Sequence, residues 1–188
     1  DLFIENDPSI NAGLAFIKKS NYIVFLNSGL MNLLNLDEIK FVIGHELGHL
    51  KYQHHRIIKN PNKKSLPIFT VRLFEHSRYA EISADRCGLV GVGSLNSAKS
   101  ALLKIATGTD LRYLEEDSIG MNVQINDIKN ILKSDKGLID EKLSHPYSLI
   151  RIHALEKFNN FVEGKNIDLK KIDNSLLNLL TYLNPKMN

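Results

Sequence analysis

Three residues in the first third of the chain carry the sharpest chemical signal: His45, Glu46 and His49, in the run His45, Glu46, Leu47, Gly48, His49. On an α-helix, residues four apart share a face, so both imidazoles can reach one ion while Glu46 projects beside them. This is the HExxH arrangement of a catalytic zinc site, in which two histidines ligate and the glutamate is general base toward water activated by the metal. Such a site also needs a third protein ligand and an open position for that water. The candidates are the remaining histidines and the downstream acids. Glu81 stands out, because it lies in the run Ser77 to Arg86 of a second long helical segment, with Asp85 one turn later on the same face. A carboxylate at Asp85 can accept a hydrogen bond from the outer nitrogen of a ligand histidine, fixing its tautomer and raising its basicity.

The other reactive side chains are weaker candidates. His54 and His55 follow the catalytic helix among Lys and Arg and are expected in solvent, while His76 and His153 have no partner spacing and are read as structural. Cys87, beside Gly88 on an apolar helix, is expected as a buried thiol, and two residues past Asp85 it points about 200° from that residue's face. His145 precedes Pro146, a position biased toward extended backbone. It either closes a loop before a helix that Pro146 begins, or brings an imidazole to the active site.

Positioning these groups requires helices, and the pattern supplies them. Leu2 to Glu5, Gly13 to Ile17 and Tyr22 to Leu26 read as three short strands separated by Asp7, Pro8, Asn11 and the Lys18 to Asn21 turn cluster, which suggests a small antiparallel meander. From Leu36 the period becomes helical, with Asp37 as N-cap and Ile39, Val42, Ile43, Leu47 and Leu50 on a core-facing stripe. A polar stretch with Pro61 and Pro67 separates it from a second helix over about Leu66 to Val90, ended by Gly88, Gly91 and Gly93. Further helices are expected at Asn96 to Thr107, Val123 to Ser134, Pro146 to Val162 and Leu169 to Leu183. The result is an α+β domain in one piece over 1–188: a β meander (1–35), the catalytic helices (36–95) and a helical lobe (96–188).

Composition excludes several classes. The 188 residues are 43% hydrophobic and 24% charged, ordinary globular usage that rules out intrinsic disorder. A single cysteine forbids an internal disulfide. Twenty-four Lys and Arg against 21 Asp and Glu give a net charge of +3, too small for a dedicated nucleic-acid binder. Much of the excess is local, in Lys51, Arg56, Lys59, Lys63 and Lys64, which read as a solvated stretch after a helix. No apolar run approaches the roughly 18–20 residues of a membrane-spanning helix, so membrane association is expected only through a segment preceding Asp1. Cytoplasmic, periplasmic and membrane-associated placements stay open on that ground, and the Asn and Lys usage suggests an AT-rich bacterial genome.

The HExxH helix, the Ser77 to Arg86 segment and the later run Ser144 to Ile152, containing His145 and Arg151, occur in an order and spacing that resembles the HtpX-like zinc metallopeptidases, relatives of the CAAX prenyl endopeptidases. Asn11 and Ala12 before one strand, and Ser28, Gly29 and Leu30 after the next, are similar to the same family. The likeness extends from about Leu2 to Phe158, and lacks the hydrophobic hairpins of the membrane-embedded members. It implies a mainly helical, zincin-type metalloprotease fold with one Zn²⁺ per chain bound by His45, His49 and Glu81. It also implies Glu46 as catalytic base, with Asp85 beside the metal ligands and Arg151 holding its segment to the core. His145 then either stabilises the oxyanion or caps the zinc in a latent form, and Tyr79 and Tyr147 are the next donors in line.

The expected activity is hydrolysis of peptide bonds in protein or peptide substrates, with Glu46 taking a proton from water and returning it to the leaving amine. One strand, Tyr22 to Leu26, is expected to pair with the substrate backbone. The alternative is a latent, metal-binding or chaperone-like module of the same fold. Glu46 argues against it, since a closed zinc site has no use for a base.

Overall fold

A computed structural model describes residues 1–18, 21–56, 67–110 and 148–164. In chain order these form β1 (Leu2–Glu5), β2 (Ala12–Lys18), β3 (Asn21–Asn27), α1 (Ser28–Leu33), α2 (Leu36–Lys51), a 3₁₀ turn (His54–Arg56), α3 (Pro67–Val92), α4 (Leu95–Thr107) and α5 (Ser148–Val162). Among the described residues helices dominate and the strands lie in the N-terminal segment, which is the α+β class expected from the sequence. Among the described residues no helix is long and apolar enough to cross a membrane.

The three strands stand where the alternation puts them, but they do not form a meander. Their spatial order is β1-β3-β2, with β2 antiparallel to β3 and β1 parallel to it, Leu2 opposite Val24 and Glu5 opposite Asn27. The cause is the connection over residues 6–11, which arches over the end of β3 instead of turning tightly. The Asp7 carbonyl accepts the Gly29 N–H at 3.0 Å and the Ser28 hydroxyl at 2.8 Å, and the Asn27 side-chain amide donates to the Ser9 hydroxyl at 2.7 Å. Gly29 has to be glycine here, since a Cβ would lie 2.1 Å from the Pro8 carbonyl oxygen. Within the arch, hydrogen bonds from Ser9 hold the Asp7 carboxyl below the usual carboxylate range, the backbone N–H bond being the larger cause. A functional expectation falls with the meander. β3 has neighbours on both edges, so Tyr22 to Leu26 cannot accept a substrate strand.

α1 was not expected from the sequence. It is a short helix that drives Leu30, 1% exposed, into the core beneath the sheet. The cap of α2 is Asn35, not Asp37. The Asn35 Oδ1 accepts the N–H groups of Asp37 and Glu38 at 3.0 Å, and Glu38 Oε2 accepts the Asn35 N–H at 2.7 Å. Such a reciprocal box contributes about 1 kcal/mol by satisfying donors that the helix start leaves orphaned. Asp37 sits one step inside, where it pairs with Lys40 at 2.8 Å.

The buried face of α2 is Glu38, Ile39, Phe41, Val42, His45 and Gly48. Leu47, expected in the core, is 47% exposed. Beyond the helix, Gln53 adopts a left-handed backbone (φ 57°) that turns the chain, and His54 is buried in the 3₁₀ turn, not solvated as its charged neighbours suggested. α3 starts on Pro67, whose missing N–H costs nothing at a helix start, and stops at Gly93 (φ 66°). Gly88 and Gly91, expected to end it, lie inside it. α5 occupies the expected C-terminal segment from Ser148 onward. The expected helices at Val123 to Ser134 and Leu169 to Leu183, and the residues His145, Pro146 and Tyr147, lie outside the described residues.

The chain divides into two compact units, Asp1–Gln53 with Ser83–Glu115, and His54–Ile82 with Glu116–Asn188. The first has its core at Leu26, Leu30, Phe41, Val42, Ala98 and Leu102. Full burial of an aromatic or leucine side chain such as Phe41 or Leu26 stabilises by about 1.5–3 kcal/mol. In the second, α5 buries Ile150, Ile152, Ala154 and Leu155. α3 is one unbroken helix, and the division falls within it, after Ile82.

Candidate metal centre

α2 and the C-terminal half of α3 meet at glycines. A Cβ on Gly44 would lie 2.9 Å from the Gly88 Cα, and one on Gly48 would lie 2.9 Å from the Ala84 Cα and 3.0 Å from the Cys87 Cβ. On Gly88 it would meet the Phe41 carbonyl oxygen at 2.7 Å. With no side chain between them the two backbones touch, so short polar side chains reach across. This explains why Asp85, with a single methylene, contacts a histidine of the neighbouring helix. Cys87 is half-buried, its Cβ against Gly48, and not the enclosed thiol expected.

The contact is between His45 Nδ1 and Asp85 Oδ1, at 2.8 Å, with Asp85 1% exposed and His45 8% exposed. That contact suits the Nδ1–H tautomer of His45, with the carboxylate as acceptor and the Nε2 as the ring's ligating atom. That Nε2 lies 3.0 Å from His49 Nε2, the rings 4.7 Å apart and tilted by 75°. Glu81 stands one turn before Asp85 on α3. A carboxylate oxygen of Glu81 and a ring nitrogen from each of His45 and His49 all lie within 4.8 Å of one another. Two imidazole nitrogens and a carboxylate, converging on one point with the tautomer of one ring fixed from behind, fit a zinc ion in donor type and number. Arg151 Nη1 approaches Glu81 Oε2 at 3.5 Å, both side chains largely buried, so this arginine orients the carboxylate through an ion pair.

Glu46 is half-buried and rotated 100° from His45 about the helix axis, between the histidine face and the stripe of Ile43, Leu47 and Leu50. That stripe lines an open groove of about 630 Å³ with Leu2, Tyr22 and Val24, on the side of α2 turned away from the histidines. Of the residues singled out in the sequence, His45, His49, Glu81, Asp85 and Arg151 are therefore brought together, Glu46 flanks them, and His145 and Tyr147 lie outside the described residues. The seam of Gly44, Gly48, Ala84 and Gly88 was missed, although small residues four apart on two successive helices are a readable sign of close packing.

Residues 2–63 match the model of Peptidase family M48. The chain is 23% identical over 188 aligned residues to the plastoglobule-localized metallopeptidase 48 of Arabidopsis thaliana, an alignment covering 89% of this chain and 54% of the plant protein. It is 40% identical over 47 residues to protease HtpX of Thioalkalivibrio sulfidiphilus, and 39% identical over 56 residues to the HtpX homolog of Helicobacter pylori. Those two alignments cover 25% and 30% of this chain and 16% and 18% of the bacterial proteins. The chain thus spans about half the length of the plant relative and far less of the bacterial ones. No solved structure matches. The HExxH helix lies within the matched segment, so it is over this catalytic-helix region that the chain is similar to peptidase family M48 and to the HtpX proteases.

Proposed function

We propose that this chain is a zinc metalloendopeptidase that binds one zinc through His45, His49 and Glu81 and hydrolyses peptide bonds with Glu46 as general base. The observation that carries the reading is the convergence of the two Nε2 atoms and the Glu81 carboxylate, with Asp85 fixing the His45 tautomer. A zinc ion in that position supplies Lewis acidity, polarising a scissile carbonyl and acidifying water near it. The remaining steps belong to the protein. Asp85 keeps His45 facing the metal position. Arg151 holds Glu81 in place. Glu46 takes the proton of the attacking water and returns it to the leaving amine, a role worth about 10²- to 10⁴-fold in rate.

His145, from its place before the helix that carries Arg151, donates to the developing oxyanion. His145→Ala should keep zinc and lower turnover by about 100- to 1000-fold, whereas an imidazole that caps a latent site would raise activity when removed. Casein digestion by the purified chain, with and without chelator, tests the function itself. Hydrolysis that chelator abolishes and zinc restores is the expected result, and hydrolysis indifferent to chelator would reject it.

A further inference from the structure

Glu38 is the one acidic side chain of α2 that the proposed chemistry leaves unused although it is almost fully enclosed, at 1% exposure. Its Oε2 accepts the Asn35 N–H at 2.7 Å and the Lys104 ammonium at 3.0 Å, and its Oε1 accepts the Ser100 hydroxyl. Lys104 is itself buried, with 8% exposure. We propose that Glu38, Ser100 and Lys104 are positioning residues for the candidate metal centre, setting how far α2 is turned about its own axis. The inference rests on the zinc reading above.

Three observations support it. Glu38 and His45 are seven residues apart, within about 20° of the same face and about 10 Å apart along the axis, so a rotation fixed at one is delivered to the other. The ring nitrogens of His45 and His49 stand roughly 6 Å from that axis, and a turn of about 10° moves them by about 1 Å, enough to spoil a site that tolerates about 0.5 Å. The glycine seam fixes the separation of α2 and α3, but bare backbone against bare backbone resists rotation weakly. A directional lock must therefore come from elsewhere. α4 supplies it, and only Gly93 and Ser94 separate α4 from α3, the helix that carries Asp85. Stability alone does not require the arrangement, since apolar side chains of similar volume commonly replace a buried ion pair at no loss.

The test is the double variant Glu38→Gln/Lys104→Met, which keeps the N-terminal cap and the packing but removes the charged lock. Zinc affinity of the metal-stripped chain, by competition with a chromophoric chelator, is measured beside the melting temperature. The expected result is an affinity about tenfold weaker with a melting temperature within a few degrees of wild type. Asp37→Asn/Lys40→Met, which removes an exposed pair from the same helix, should leave the affinity unchanged. Should the double variant not fold, Ser100→Ala carries the test, with a loss of affinity in the same direction and smaller. Wild-type affinity in a folded variant, or a loss of affinity matched by Asp37→Asn/Lys40→Met, overturns the inference. Absence of zinc binding in the wild-type chain would instead overturn the zinc reading.

Discussion

The two ends of α2 each carry a buried polar cluster, and they are built oppositely. At the N-terminal end, Glu38 meets donors on every side: a backbone N–H, a hydroxyl and an ammonium. The cluster is closed, since each acceptor has its proton and the carboxylate has its countercharge. At the other end, the Nε2 atoms of His45 and His49 approach to 3.0 Å and a Glu81 oxygen joins them. Here three side chains able to ligate one metal ion converge. One helix thus carries a paired electrostatic cluster at one end and a set of potential metal ligands at the other.

The largest effect should come at the open end. Glu46→Gln keeps the shape of the side chain but cannot take a proton, so peptide hydrolysis should fall by about 10²- to 10⁴-fold with zinc content unchanged. Equal turnover in the variant would remove the base from this end of the helix. At the closed end, Glu38→Ala should destabilise by about 3–5 kcal/mol in denaturant unfolding, because it strands the Lys104 ammonium in the interior. A neutral outcome would mean that the cluster is wetter than its burial indicates. Next in size, Asp85→Asn should weaken zinc binding by roughly 10- to 100-fold, and excess zinc should partly restore activity. The smallest change is Lys40→Ala, which breaks a pair more than half exposed and should shift stability by under about 0.5 kcal/mol.

The open end was legible in the sequence and the closed end was not. His45, Glu46 and His49 announce themselves because ligation demands particular side chains at a fixed helical spacing, and Glu81 with Asp85 repeats that spacing on the next helix. Glu38 looks like any acid in a first turn, and Lys104 like any lysine. Their pairing spans 66 residues and exists only through tertiary packing. Elements were readable where the helical period is sustained, as at α2 and α4, but their caps were not: α2 starts from Asn35 instead of Asp37, and the Ser94 cap and Gly108 stop of α4 emerge only from the structure. Strand direction was not, because alternation says which face a residue takes and nothing about which neighbour it joins. The length of the 6–11 connection was the available clue, since hairpin loops usually run to five residues or fewer. Leu47 was misplaced for a related reason: it shares a stripe with Ile43 and Leu50, but that stripe lines an open groove.

The most direct test of zinc at His45, His49 and Glu81 is calorimetric titration of zinc into the metal-stripped chain, wild type beside Glu81→Ala. One zinc per wild-type chain, with binding greatly weakened in the variant because two histidines hold the ion poorly, is the expected result. No binding to the wild type, or equal affinity and stoichiometry in the two proteins, would contradict it.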